Sequence, residues 1–232
     1  MFFLQMSGFP GSGKSTLAKE IARRTKAVII DHDVVKTGLL EGMDNDIDPK
    51  RAGGVAYHIE WSLIDFHLSQ GHSVILDSPC LYEEMVENGT AIAEKHNVKY
   101  KYVECVLNDI HELNNRLKNR ERLITQIDQV HIPEEHWQEV INRAKRPAHL
   151  ECINVNTSQT LDYYLGDVLK SAAIIGGFFD GFHCSRRSSH PPAVIKDTTD
   201  VISPFLPAAN PLTDTTDAKP RFLALIPAFS RK

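Results

Sequence analysis

Nine residues near the start, Gly8-Phe9-Pro10-Gly11-Ser12-Gly13-Lys14-Ser15-Thr16, restrict this chain more than any other stretch. From Gly8 to Ser15 they read glycine, four variable positions, then Gly-Lys-Ser, which is the phosphate-loop pattern. The glycines permit a backbone curl whose N–H groups all point inward, forming a nest for phosphate oxygens. The pattern works only between a strand and a helix, because the helix adds the positive end of its dipole. That context is present. Phe2–Met6 reads as an apolar strand, and Lys14–Thr25 as a helix with Leu17, Ala18, Ile21 and Ala22 on one side. The expected ligand is a nucleoside triphosphate held by Gly8, Pro10, Gly11, Ser12, Gly13, Lys14, Ser15 and Thr16. Lys14 is expected to bridge the β- and γ-phosphates, and the Ser15 hydroxyl to ligate Mg²⁺.

Apolar β-branched runs then alternate with helical periods. Strands are predicted at Ala27–Ile30, Ser73–Leu76, Lys99–Leu107 and Cys152–Val155. Helices are predicted at Val55–Leu68, Tyr82–His96, Asp109–Arg122 and Leu161–Ser171, with a further segment opened by Pro133. In Val55–Leu68 the apolar positions are Ile59, Leu63, Ile64 and Phe66. Such alternation predicts an α/β fold, a parallel sheet covered by helices on both faces. Ligands of such sheets bind beyond the carboxyl ends of the strands. After residue 172 the character changes: seven of the twelve prolines fall between Pro191 and Pro227, among Ser, Thr, Asp and Gly. A poorly structured tail over residues 173–232 is expected, the alternative being a second small domain.

The formal net charge of −4 argues against electrostatic binding to nucleic acid or an anionic membrane surface. Cys80, Cys105, Cys152 and Cys184 have no metal-ligand spacing, and buried reduced thiols are expected. The first residues carry no basic leader, and no apolar run is long enough to span a bilayer. A cytoplasmic monomer is therefore expected, with Asn88 and Asn156 only fortuitous sequons. The histidines show no ligand spacing either. His58, His67 and His72 read as surface or helix-end residues, and Trp61 as core.

The remaining polar clusters lie where chemistry is expected. The third strand ends Val74-Ile75-Leu76-Asp77, which places Asp77 to hold a Mg²⁺-bound water or simply to end the strand. Ser78 and Pro79 follow instead of a second acid, which disfavours a helicase or motor, and no Asn-Lys-x-Asp run reads guanine. Arg116 and Arg120 are four apart, on one face of a predicted helix. They form either a solvated basic face or a pair of forks for the charge on a transferring phosphoryl group. Arg143, Lys145 and Arg146 read as a solvated helix end that could also touch phosphate. The run Ile29-Ile30-Asp31-His32-Asp33-Val34-Val35-Lys36 ends a strand in two carboxylates. Strand alternation puts Asp31 and Asp33 on one face and His32 on the other, and Asp33 is placed to cap the helix that follows.

Taken together, the phosphate loop, the acid after strand two, Arg-x-x-x-Arg after strand four and Ile132-Pro133-Glu134-Glu135 resemble one family. It is the P-loop kinase group of polynucleotide 5′-kinases, zeta toxins and gluconate-type kinases, often labelled AAA-domain ATPases. The resemblance covers residues 1–172. It implies a three-layer P-loop NTPase sandwich, with a five-stranded parallel sheet of order 2-3-1-4-5 and a lid at about residues 109–133. It also implies ATP and Mg²⁺ as cofactors, Asp33 as general base, and Lys36 as substrate contact where the family pattern has arginine. Asp31 becomes a carboxylate touching substrate or supporting residues that do. Arg116 is implied near the nucleotide, Arg120 near the transferred phosphate, and Asn156 and Thr157 near adenine, where a plain turn serves equally. The expected activity is transfer of the γ-phosphoryl group to a hydroxyl of a small molecule, nucleoside or polynucleotide. A nucleotide-binding switch or scaffold with little turnover is the alternative.

Overall fold

The computed structural model describes residues 1–43 and 47–171; the expected tail at 173–232 and Cys184 lie outside them. Five strands among the described residues form the sheet: β1 (Phe2–Ser7), β2 (Val28–Asp31), β3 (Val74–Asp77), β4 (Lys99–Val106) and β5 (Cys152–Asn156). All pairings are parallel and the order is β2-β3-β1-β4-β5, as the resemblance implied. Among the described residues seven helices connect and cover them: α1 (Lys14–Thr25), α2 (His32–Gly42), α3 (Pro49–Ser69), α4 (Glu83–Lys95), α5 (Ile110–Asn119), α6 (Glu134–Ile141) and α7 (Leu161–Ser171).

β1 is central and wholly buried, and its side chains feed two separate cores. Phe2, Leu4 and Met6 pack on one face with Leu17, Ala18 and Ile21 of α1 and Leu165, Val168 and Leu169 of α7. On the other face Phe3 joins Ile64 and Leu68 of α3 and Met85 and Val86 of α4. The period-two alternation of one strand therefore supplies both hydrophobic layers. A third cluster, Leu107, Leu113, Leu117, Trp137 and Ile141, packs α5 and α6 beside the phosphate loop.

Strand ends shift by a residue from the expected bounds, but two helices differ in substance. α3 begins at Pro49, six residues before the predicted start, with Asp48 capping it by accepting from the N–H groups of Lys50 and Arg51. Asp-Pro is an N-cap followed by N1 proline, and its signal was obscured by Gly53 and Gly54. The face it buries is Ala52, Ala56, Glu60, Ile64 and Leu68, at strict fourth positions, while the predicted Ile59 and Phe66 are exposed. α5 ends at Asn119, short of Arg122, and Arg120 is already extended. Trp61 packs edge-on against Phe3, and exposed His58 fits its expectation. Among the described residues no helix is long and apolar enough to cross a membrane.

Candidate active site

The carboxyl ends of β1, β2 and β3 converge on the phosphate loop. Gly8, Gly11 and Gly13 all have positive φ, which is the backbone the nest requires. Gly13 caps α1 with no side-chain hydrogen bond, so the first-turn N–H groups remain available to an anion. The loop is tightly enclosed. Gly11 lies against Leu113 and Leu117 of α5, Gly13 against Thr157, and Phe9 packs edge-on against Trp137 of α6. The Ser12 hydroxyl is buried with no hydrogen-bond partner among the described residues. Lys14 is buried, and its ammonium donates to the Phe9 carbonyl at 3.2 Å, across the mouth of the nest. Pro10 lies in the curl and Thr16 in the exposed part of the first turn of α1.

Beside the loop, the Ser15 hydroxyl neighbours the carboxylate of Asp77, the last residue of β3. Burial raises the Asp77 carboxyl above the usual range, and the Lys14 charge and the Ser15 hydroxyl oppose that rise. Among the described residues no group of three acids, histidines or cysteines could hold a metal unaided. A hydroxyl and a carboxylate side by side nevertheless fit Mg²⁺, which takes hard oxygen donors and completes its shell with water and substrate phosphates.

The Asp31-His32-Asp33 run differs from the expectation. β2 ends at Asp31 and α2 begins at His32, so strand alternation no longer governs the three. The cap is Asp31, not Asp33. Its Oδ1 accepts from the N–H groups of Asp33 at 2.9 Å and Val34 at 3.3 Å. An N-cap side chain reaches the second and third helical N–H groups, so the cap role falls to the residue just before the helix. His32 turns away from the loop into the protein, where it pairs with buried Glu60 at 2.7 Å and stacks on Tyr57. Sequence reasoning missed that pair, since a glutamate on a helix of mixed polarity gives no sign of burial. Asp33, half-buried in the first turn of α2, accepts at Oδ2 from the Gln126 amide at 2.9 Å. Lys36 follows on α2 with no ion pair among the described residues, its ammonium over the bare backbone of Gly53.

Asp31 sits opposite Asp77 in the β2–β3 register. Burial first, and Asp77 next, push its carboxyl up to about 6. The folded chain therefore holds a proton that the unfolded chain has released. Asp31 should cost the ligand-free fold increasing stability as pH rises from 3.8 to about 6, and nothing further above that. Asp31→Asn keeps the cap acceptor and removes the charge, so thermal unfolding between pH 4 and 7 should lose this slope. An unchanged pH dependence in the variant would show that Asp31 does not carry it.

Arg116 and Arg120 do not share a helix face, because α5 ends between them. Arg116 is held by Glu112 at 2.8 Å and donates to the Thr157 carbonyl at 2.9 Å, beside Gly13. Thr157 is itself buried, its hydroxyl donating to the Val106 carbonyl, while Asn156 closes a turn by accepting from the Ser158 N–H. Arg120 donates to the Ile127 carbonyl at 2.9 Å, and its Nε is buried without a partner among the described residues. Burial lowers its guanidinium pKa, and the Asp33 charge opposes that, so these two lie in mutual electrostatic reach. Arg146 is no solvated helix end: it forks onto buried Glu104 through bonds of 2.6 and 2.8 Å. The thiols of Cys80 and Cys105 are free and buried, and burial pushes them up to about 11 and about 12, so neither is a nucleophile near neutrality.

A parallel sheet in this order, with a glycine nest opening the helix after its central strand, defines the P-loop NTPase class. Within that class the chain belongs to the AAA domain family, whose model matches residues 4–147, more than half its length. Among solved structures it is similar to a protein of Chloroflexus aurantiacus assigned as a kinase, with 17% identity and a TM-score of 0.58 over 72% of this chain and 96% of the other. It is also similar to the APS kinase of Mycobacterium tuberculosis, solved with AMPPNP and APS, at 16% identity and TM-score 0.50 over 72% of this chain and 95% of that one. At such identities the likeness is one of fold, and that fold is the one expected of the P-loop kinase group. No curated protein matches the chain.

Proposed function

We propose that the protein is an ATP-dependent kinase that moves the γ-phosphoryl group of Mg-ATP to a hydroxyl of a small molecule or nucleotide. One observation carries the reading. The carboxylate of Asp33, from the start of α2, lies in electrostatic reach both of the Arg120 guanidinium from beyond α5 and of Asp77 beside the phosphate loop. The phosphate loop alone serves any nucleotide-binding protein. Adding a base on one side and a fork on the other is what an acceptor hydroxyl and a transferring phosphoryl group require.

In this reading Lys14 and the loop N–H groups hold the phosphates, and Ser15 and Asp77 hold Mg²⁺. Bound between those two side chains, Mg²⁺ would supply positive charge to the phosphates. Asp33 accepts the proton of the acceptor hydroxyl as its oxygen bonds to the γ-phosphorus and the bond to the ADP oxygen breaks. Arg120 meets the charge on the transferred group, and Arg116 braces the nucleotide side. Asp31 caps the helix that carries Asp33, and Lys36 is left to attract an anionic group of the acceptor. Most of the acceleration comes from positioning and fixed charge. The domain spans residues 1–172, with a lid at about 109–133. The fold likeness to a kinase solved with APS supports a small-molecule acceptor, and the net charge of −4 gives no support to a polynucleotide one.

Asp33→Asn tests the assignment. It should bind Mg-ATP as the unaltered protein does and lose transfer to the acceptor by roughly 10²- to 10⁴-fold. Transfer is followed from γ-labelled ATP across sugars, sugar acids, nucleosides and 5′-hydroxyl oligonucleotides. Full activity in the variant removes Asp33 from the mechanism, and binding without transfer to any acceptor removes the kinase reading.

A further inference from the structure

The loop beyond α5 reaches back to the start of α2. Leu123 to Gln126 makes a turn, with the Gln126 N–H donating to the Leu123 carbonyl at 3.0 Å. From that turn two side chains land on α2. Thr125 donates to the Asp33 carbonyl at 3.3 Å and lies 3.0 Å from the Thr37 hydroxyl, while the Gln126 amide donates to Asp33 Oδ2 at 2.9 Å. The other end of that amide is also engaged, because Gln126 Oε1 accepts from the Leu123 N–H at 3.3 Å. An oxygen tied to an N–H leaves only the NH₂ group to face the carboxylate, so the network fixes the orientation of the amide.

We infer that Gln126 is a positioning residue for Asp33, holding Oδ2 so that Oδ1 stays turned to the acceptor hydroxyl. The terminal torsion of an aspartate is broad, and a carboxylate without a partner samples many orientations. Among the described residues Gln126 is the only hydrogen-bond partner of this carboxylate. The same loop holds Arg120, whose guanidinium donates to the Ile127 carbonyl one residue beyond Gln126. The fork for the transferred phosphoryl group and the amide that aims the base therefore travel together.

The inference rests on Asp33 being the acceptor-side base, and the test separates the two. Gln126→Ala and the similarly shaped Gln126→Met both remove the donor. Steady-state transfer from γ-labelled ATP is measured with the hydroxyl acceptor that takes label in the panel above, and with water. Both variants should lower kcat about ten- to a hundredfold, as misplaced catalytic groups do, with KM for Mg-ATP nearly unchanged. In an Asp33→Asn background Gln126→Ala should cost no more than about twofold further, because no base is left for the amide to orient. If Asp33→Asn is inactive while both Gln126 variants keep full kcat, the positioning role is overturned and the base survives. The positioning role falls equally if Gln126→Ala costs as much in the Asp33→Asn background as alone, or acts only by raising KM. If Asp33→Asn is fully active, the assignment of Asp33 fails and the inference falls with it.

Discussion

Gly8→Ala is expected to weaken Mg-ATP binding by about a hundredfold or more while leaving the fold assembled. Two independent terms combine at this residue. Its φ is +125°, a region in which a side chain costs roughly 1–3 kcal/mol. A Cβ built there would also stand 2.2 Å from the Cys105 carbonyl oxygen and 2.8 Å from Ser12 Oγ. The Ser12 side chain can rotate away, but the carbonyl belongs to β4, paired in register with β1 and buried in the core. The loop must therefore move, and each 1.4 kcal/mol of distortion that the bound state must undo is tenfold in affinity. Titration calorimetry with Mg-ATP reads the loss, and far-ultraviolet circular dichroism reads the retained fold. Unchanged affinity in a folded variant would mean that the nest does not hold the phosphates.

What could be read in the sequence follows from how local each signal is. The phosphate loop, its strand and its helix are contiguous, so Gly8 to Thr16 and α1 were legible to the residue. The sheet order was legible through the resemblance, because strand-helix alternation fixes parallel pairing but leaves several orders open. Errors arose where two elements share a residue. Asp33 looked like a strand-end residue and the cap, but the change from period two to the helical period comes right after Asp31, which ends β2 and itself caps α2. Arg116 and Arg120 looked like neighbours on a helix that in fact ends at Asn119. The site's other features are contacts between distant positions, such as Gln126 with Asp33 across 93 residues and His32 with Glu60 across 28. A glutamine in a loop and a glutamate on a helix look like solvated surface in one dimension, and only the fold shows what faces them.

The largest stability effect is expected from Arg146→Ala. Glu104 lies on β4 with 1% of its side chain exposed, and both of its oxygens accept from the Arg146 guanidinium. The residue just before that arginine is stitched down at both its N–H and its carbonyl. The Lys145 N–H donates to the Cys80 carbonyl at 2.8 Å, and the Tyr102 hydroxyl donates to the Lys145 carbonyl. The arginine is thus delivered to the carboxylate by backbone contacts that survive its removal. Without it the carboxylate stays buried and unpaired, and breaking such a pair costs about 3–5 kcal/mol when both partners are deeply buried. Because 40% of the arginine side chain is exposed, water screens part of the interaction, and a cost nearer to about 3 kcal/mol is expected. For a chain of this size that corresponds to a fall of roughly 6–12 °C in Tm. Arg146→Lys keeps the charge but loses the two-pronged geometry and should fall between. Adding Glu104→Gln to Arg146→Ala removes the stranded charge and should recover much of the loss. Thermal unfolding of the four proteins distinguishes this account from the reading of Arg146 as a contact for substrate phosphate. That reading requires Arg146→Ala to lose transfer with its Tm intact, and such a result would sink the ion-pair argument.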